Sequence, residues 1–124
     1  PRSEVRLRRR TLNGISMNVR TTKKMLSTGE QVQTERQIDN NLYESLMRQA
    51  DPYRDTIHKI RKTFIWKGQF FELDTYLDAN SGLQILETKG IVDHESVNIP
   101  PFLEVMEDIT GNTKYYNYNL ALKK

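Results

Sequence analysis

The sequence predicts an α+β domain built mainly from antiparallel β-strands, with one helix between two groups of strands. Three observations lead there. Apolar and charged residues alternate with period two in several separate stretches, the mark of half-buried strands. Short turn signals, Asn13-Gly14 first among them, separate these stretches closely enough to imply hairpins. Only one segment, after Asp39-Asn40-Asn41, changes to helical spacing.

The elements follow in order. Val5-Arg6-Leu7-Arg8 alternates, giving a strand with one apolar and one basic face. After Asn13-Gly14 a second strand is expected over Ser16 to Met25, and Ser27-Thr28-Gly29 turns the chain into a third, Glu30 to Ile38. Asn41 followed by Glu44 approximates a capping box, and Leu42, Tyr43, Leu46, Met47 and Ala50 then share one helical face. Asp51-Pro52 ends that helix. Strands are expected over Ile57–Trp66, Gln69–Leu77 and Leu83–Lys89, separated by turns at Lys67-Gly68 and Ala79-Asn80-Ser81-Gly82. Ile99-Pro100-Pro101 must be extended or irregular, and a last short helix begins near Asn117 and includes Leu120 and Ala121.

Composition bounds the function. With 124 residues, a single domain with a modest core is expected, and nothing in composition marks a linker or a repeat. Charged residues make up 28% and apolar ones 36%, and the mean hydropathy is −0.72. No stretch approaches the roughly 20 apolar residues that cross a bilayer. The chain has no cysteine, which excludes disulfides and thiolate metal sites and suits a cytoplasmic setting. Net charge is only +3, yet Arg2, Arg6, Arg8, Arg9 and Arg10 crowd the first ten residues, with Lys23 and Lys24 soon after. These cations sit within alternating patterns, not in a Gly- or Ser-rich tail, so DNA is not an expected partner.

Strand phase separates charge from bulk. Lys59, Arg61 and Thr63 share one face of their strand, with Ile60, Phe64 and Trp66 on the other. Glu72 and Asp74 oppose Phe71, Leu73 and Leu77, and Glu87 shares a face with Lys89. Two architectures satisfy this pattern. One is an ordinary sheet, apolar inward and charged toward water. The other is a closed barrel with a charged lumen, where low effective dielectric strengthens the pull of Arg and Lys on an anion. Arg forks suit phosphate oxygens, Lys adds point charge, and carboxylates in the same lumen could hold Mg²⁺ or Mn²⁺. Periodicity leaves both open.

Seven stretches in order carry a resemblance: Val5-Arg6-Leu7-Arg8-Arg9, Thr21-Thr22-Lys23, Glu35-Arg36-Gln37-Ile38, Ile57-His58-Lys59-Ile60-Arg61, Phe71-Glu72-Leu73-Asp74, Gly82-Leu83-Gln84-Ile85-Leu86-Glu87 and Asp108-Ile109-Thr110-Gly111. Together with Lys114-Tyr115-Tyr116-Asn117 and Leu120-Ala121, they resemble the strand motifs of the CYTH superfamily across nearly the whole chain. That superfamily contains thiamine, inorganic and RNA triphosphatases and class IV adenylyl cyclases. The resemblance implies an antiparallel β-tunnel with a few peripheral helices. It makes Arg6, Arg8, Lys23, Lys59 and Arg61 phosphate ligands and Asp74 and Glu87 metal ligands. Ile99-Pro100-Pro101-Phe102-Leu103-Glu104-Val105 is similar to the C-terminal CYTH-like half of the TRPL translocation defect proteins. In that group a P-loop domain precedes the module, and the resemblance implies binding of GTP and phosphoinositides, peripheral membrane contact and a role in membrane-protein transport. G-x-x-x-x-G-K-S/T does not occur in this sequence, so the chain is expected to be the second part of such a protein.

The sequence departs from the family pattern in three places. The opening Glu-x-Glu-x-Lys strand has no counterpart upstream of Arg6. Gln31-Val32-Gln33-Thr34-Glu35 stands where catalytic relatives have Arg-x-Glu-x-Glu, and Glu87-Thr88-Lys89 replaces a pair of acids by an acid and a cation. Fewer hard oxygen donors weaken a metal-assisted mechanism. The expected function is therefore binding of a nucleotide triphosphate, polyphosphate or phosphoinositide headgroup. The alternative is a metal-dependent triphosphatase, whose water would be activated by a carboxylate such as Glu35. A scaffold whose basic face meets an acidic partner is the third possibility. His58 and His94 lack paired ligand spacing and are not assigned a role.

Overall fold

A computed structural model describes residues 3–90 and 97–123. Arg2 and His94, both singled out in the sequence, lie outside the described residues. The chain divides at Asp51-Pro52 into two compact units, each holding one three-stranded antiparallel sheet. Nothing in composition signals this division; the same two residues read only as the end of a helix.

The first unit has strands β1 (Ser3–Leu12), β2 (Ile15–Met25) and β3 (Gln31–Ile38) in that spatial order, then helix α1 (Asn40–Met47). The β1–β2 hairpin closes through Asn13 and Gly14 at φ 52° and 77°. Two successive positive φ values give the tight turn whose twist matches the strands, which is why Asn-Gly serves there. Asp39, not Asn41, caps α1: its Oδ1 accepts from the Leu42 amide at 2.8 Å. The expected capping box is corrected by two residues. Strand β3 runs to Ile38, so the first residue with extended backbone and a short acceptor side chain is Asp39. The buried set of this unit is small: Asn18, Val19, Thr21 and Tyr43.

The second unit has β4 (Lys59–Trp66), β5 (Gln69–Tyr76) and β6 (Gln84–Thr88), again in sequence order, and a short helix α2 (Asn117–Leu120). Lys67 and Gly68 close the β4–β5 hairpin at φ 48° and 74°, the same turn geometry as at Asn13-Gly14. Strand β4 begins two residues later than the sequence predicts, at Lys59. His58 precedes it, with its carbonyl accepting from the Leu77 amide and its Nδ1 2.6 Å from Asp78 Oδ2 on the surface.

Register fixes the faces of this sheet, because directly paired residues project to the same side. Phe64 pairs with Phe71, and their rings stack at 5.4 Å. Phe102, arriving from the Pro100-Pro101 segment, packs on Phe64 at 6.0 Å and edge-on against Trp66 at 5.6 Å. Phe71 and Pro100 are fully buried. On the opposite face Lys59 pairs with Tyr76, Arg61 with Asp74 and Thr63 with Glu72. Here the ordinary-sheet pattern fails. Glu72 and Asp74 are each only 6% exposed, whereas Ile60, on the Phe64 face, is 53% exposed. The fold is thus α+β with antiparallel sheets, and in the second unit its charged face is more enclosed than parts of its apolar one.

Candidate functional site: charged faces of the two sheets

In the first unit, the register of β1, β2 and β3 collects one face. Arg6 pairs with Thr21, which pairs with Glu35; Arg8 pairs with Val19, and Lys23 lies between Glu4 and Gln33. Arg6, Arg8, Lys23 and Glu35, all sequence candidates, therefore share a face with Arg10. This face holds four cations, Arg6, Arg8, Arg10 and Lys23, against two carboxylates, Glu4 and Glu35. The carboxylate of Glu35 accepts from Thr21 Oγ1 at 3.2 Å and stands 3.6 Å from the Arg8 guanidinium. Among the described residues, Arg6 and Lys23 have no ion-pair partner.

Arg9 points the other way. Its Nε donates to Asn18 Oδ1 at 2.8 Å, and a terminal nitrogen reaches Asn40 at 2.6 Å and Glu44 at 3.2 Å, with the guanidinium stacked 4.3 Å over Tyr43. Arg9 ties α1 to the sheet and so leaves the Arg6–Arg8 face uncovered by this helix. Its position, odd where Arg6 and Arg8 are even, is the sequence signal for that different role.

In the second unit, Lys59, Arg61, Asp74 and Glu87 also share one face. Here the cations are closely engaged. Arg61 grips Asp74 through two hydrogen bonds, Nε to Oδ1 at 2.7 Å and a terminal nitrogen to Oδ2 at 2.9 Å, and sends its other terminal nitrogen to Glu72 at 2.8 Å. Lys59 Nζ stands 2.7 Å from the same Asp74 Oδ2 and 5.3 Å above the Tyr76 ring. Lys89 Nζ lies 3.2 Å from the other oxygen of Glu72. The charges balance: Lys59, Arg61 and Lys89 against Glu72, Asp74 and Glu87.

Electrostatics follow from this geometry. Burial alone would raise the Asp74 carboxyl, but hydrogen bonds from Arg61 and Lys59 outweigh it and hold Asp74 below the ordinary aspartate value. The bidentate bond to Asp74 raises Arg61 further, against the opposing effect of burial, so its charge is fixed at any working pH. Desolvation, with the Asp74 charge nearby, pushes the Tyr76 hydroxyl up to about 12. That hydroxyl donates to Asn117 Oδ1 at 2.8 Å, anchoring α2.

Asp74 and Glu87 can be tested as metal ligands on the same contacts. Both Asp74 oxygens already face cations, and a divalent ion there would have to displace Lys59 or Arg61. Among the described residues, no three His, Asp or Glu side chains converge as a metal-ligand group. As arranged, this donor set suits ammonium and guanidinium, not Mg²⁺ or Mn²⁺. Sequence reasoning placed Glu72 on the right face but gave it no role. In the register Glu72 faces Thr63 on one side and Glu87 on the other, and its contacts to Arg61 and Lys89 reach past these partners, so no local pattern along the chain marks it.

No family model matches this sequence, and no curated protein matches it. Among solved structures, the crystal structure of the hypothetical protein NE1496 is similar, with a TM-score of 0.67 and 27% identity. The match covers 98% of this chain and 76% of that one. The two proteins share a fold. The description of NE1496 names no activity or ligand. No helix among the described residues is long and apolar enough to cross a membrane.

Proposed function

We propose that this protein is a CYTH-like module that binds a phosphorylated anion through basic faces of its sheets. The ligand class is one with several adjacent phosphates: GTP or another nucleoside triphosphate, polyphosphate, or a phosphoinositide headgroup. A single observation carries the reading. Strand register gathers Arg6, Arg8 and Lys23 on one face with an excess of positive charge. Such a face attracts a polyanion over a Debye length, about 8–10 Å in physiological salt, and Arg forks then bind phosphate oxygens in pairs. Burial of the Glu72 and Asp74 charges in the second unit, in place of exposure to water, supports a lumen-like setting for Lys59 and Arg61. The resemblance to the TRPL translocation defect proteins supports a place in a cytosolic protein that contacts membranes peripherally and serves membrane-protein transport.

Calorimetry with tripolyphosphate, GTP and vesicles carrying a phosphoinositide tests this directly. Saturable binding that weakens with added salt, and that falls about tenfold in Arg6→Ala, is the expected result. No saturable binding of any of the three overturns it.

One observation favours a second reading, hydrolysis. Glu35 stands on the same face as Arg6 and Arg8, and Thr21 donates to it. A carboxylate so placed could accept a proton from water attacking a terminal phosphate. Phosphate release from tripolyphosphate with Mg²⁺ or Mn²⁺, abolished in Glu35→Gln, would replace the binding-only account with this one. Release that persists in Glu35→Gln would remove Glu35 from the role.

A further inference from the structure

In the register of β5 and β6, Glu72 lies directly opposite Glu87. Facing residues of an antiparallel pair have Cβ atoms about 4.5–5.5 Å apart, and like charges there repel. Glu72 makes this costly, because its side chain is more than nine-tenths buried. One of its oxygens is satisfied by Arg61 at 2.8 Å. The other, Oε1, is buried and receives no hydrogen bond of good geometry, yet it has the Lys89 ammonium 3.2 Å away. Lys89 itself is 63% exposed, just past the end of β6, with one carboxylate contact among the described residues.

We propose that the Lys89 ammonium is a tethered counter-ion for the Glu72–Glu87 step, and that it keeps divalent cations off this face. The chemistry of the step is what a hard cation recognises. Two carboxylates on adjacent strands, completed by water, are enough to hold Mg²⁺ or Mn²⁺. The groups around Glu72 are Arg61 and Thr63 from β4, Glu87 from β6 and Lys89. Of these only Lys89 combines a positive charge with contact to Oε1. A monovalent charge built into the chain compensates the step without recruiting an ion from solution, and its removal leaves a buried carboxylate oxygen without that charge. The inference does not depend on anion binding, because its test uses the metal alone.

The experiment is Mn²⁺ binding to the full chain, read from the loss of the free-ion electron paramagnetic resonance signal, alongside thermal melts with and without Mn²⁺. Lys89→Ala should bind Mn²⁺ at least about tenfold more tightly than wild type, and Mn²⁺ should raise the melting temperature of that variant alone. Lys89→Arg keeps the charge and should behave as wild type. Adding Glu72→Gln to Lys89→Ala should abolish the gained binding. Equal Mn²⁺ affinity in wild type and Lys89→Ala overturns the proposal. So does the lack of binding in both, and so does gained binding that survives Glu72→Gln. Lys89 is largely exposed, so the alanine variant should keep its fold, and circular dichroism checks that before the metal is added.

Discussion

The two sheets have the same topology, yet they treat their charged faces in opposite ways. In the first unit cations outnumber carboxylates, and Arg8 stands 3.6 Å from Glu35 across the face. In the second, Lys59 and Arg61 close onto Asp74 at 2.7 Å each and the face is neutral overall. Arginine and lysine in an alternating strand pattern therefore carry two distinct meanings. Where a buried carboxylate closes on them, as Asp74 does on Arg61 and Lys59, the cations are internal partners, and removing one leaves a buried charge less compensated. Arg6 instead faces Thr21, and neither it nor Lys23, although Glu4 stands opposite the latter, closes an ion pair among the described residues.

The largest effect should come from the apolar side of the second sheet. Phe71 is fully buried and stacked on Phe64, so Phe71→Ala should cost about 3–5 kcal/mol in urea denaturation. A cost below that of the Asp74 variant would mean that ionic pairing, not packing, holds this unit. Asp74→Asn should cost about 3 kcal/mol, near the low end for a broken buried pair, since Arg61 keeps some contact with solvent. A cost near zero would erase the contrast between the sheets.

Acid titration sharpens the same point. Asp74 is held below its ordinary value of 3.8, so its contribution is complete above that pH and is lost as pH falls through the depressed folded value. Wild type should lose stability in that acid window, and Asp74→Asn should show a flatter acid limb in the same melts.

How far the sequence foretold this contrast depends on the range of the interactions involved. Alternation placed Arg6 with Arg8, Lys59 with Arg61, and Glu72 with Asp74, because period two is a local property of the strand. Asn13-Gly14 and Lys67-Gly68 were legible for the same reason. The cap was misplaced among Asp39, Asn40 and Asn41 because all three can accept the bond, and only the end of β3 decides between them. Pairing partners were not legible. Whether Arg61 meets Asp74 or water depends on register across a hairpin. The contact of Phe102 with Phe64 and Trp66 joins residues more than 30 apart, which no window along the chain contains.

Smaller effects belong to the first unit. Asp39→Ala should cost about 1 kcal/mol, the usual loss for a side-chain cap, measured by urea denaturation. Arg6→Ala and Lys23→Ala should change stability by no more than about 0.5 kcal/mol, because neither has an ion-pair partner among the described residues. A larger loss in either would show that the first face, too, is a structural network.

The contrast between the sheets is tested most directly by tripolyphosphate affinity, measured by calorimetry on the wild-type chain and on Arg6→Ala and Lys59→Ala. An affinity lowered about tenfold in Arg6→Ala, and by less in Lys59→Ala, whose cation already pairs with Asp74, is the predicted result. An affinity that Arg6→Ala leaves unchanged would contradict it.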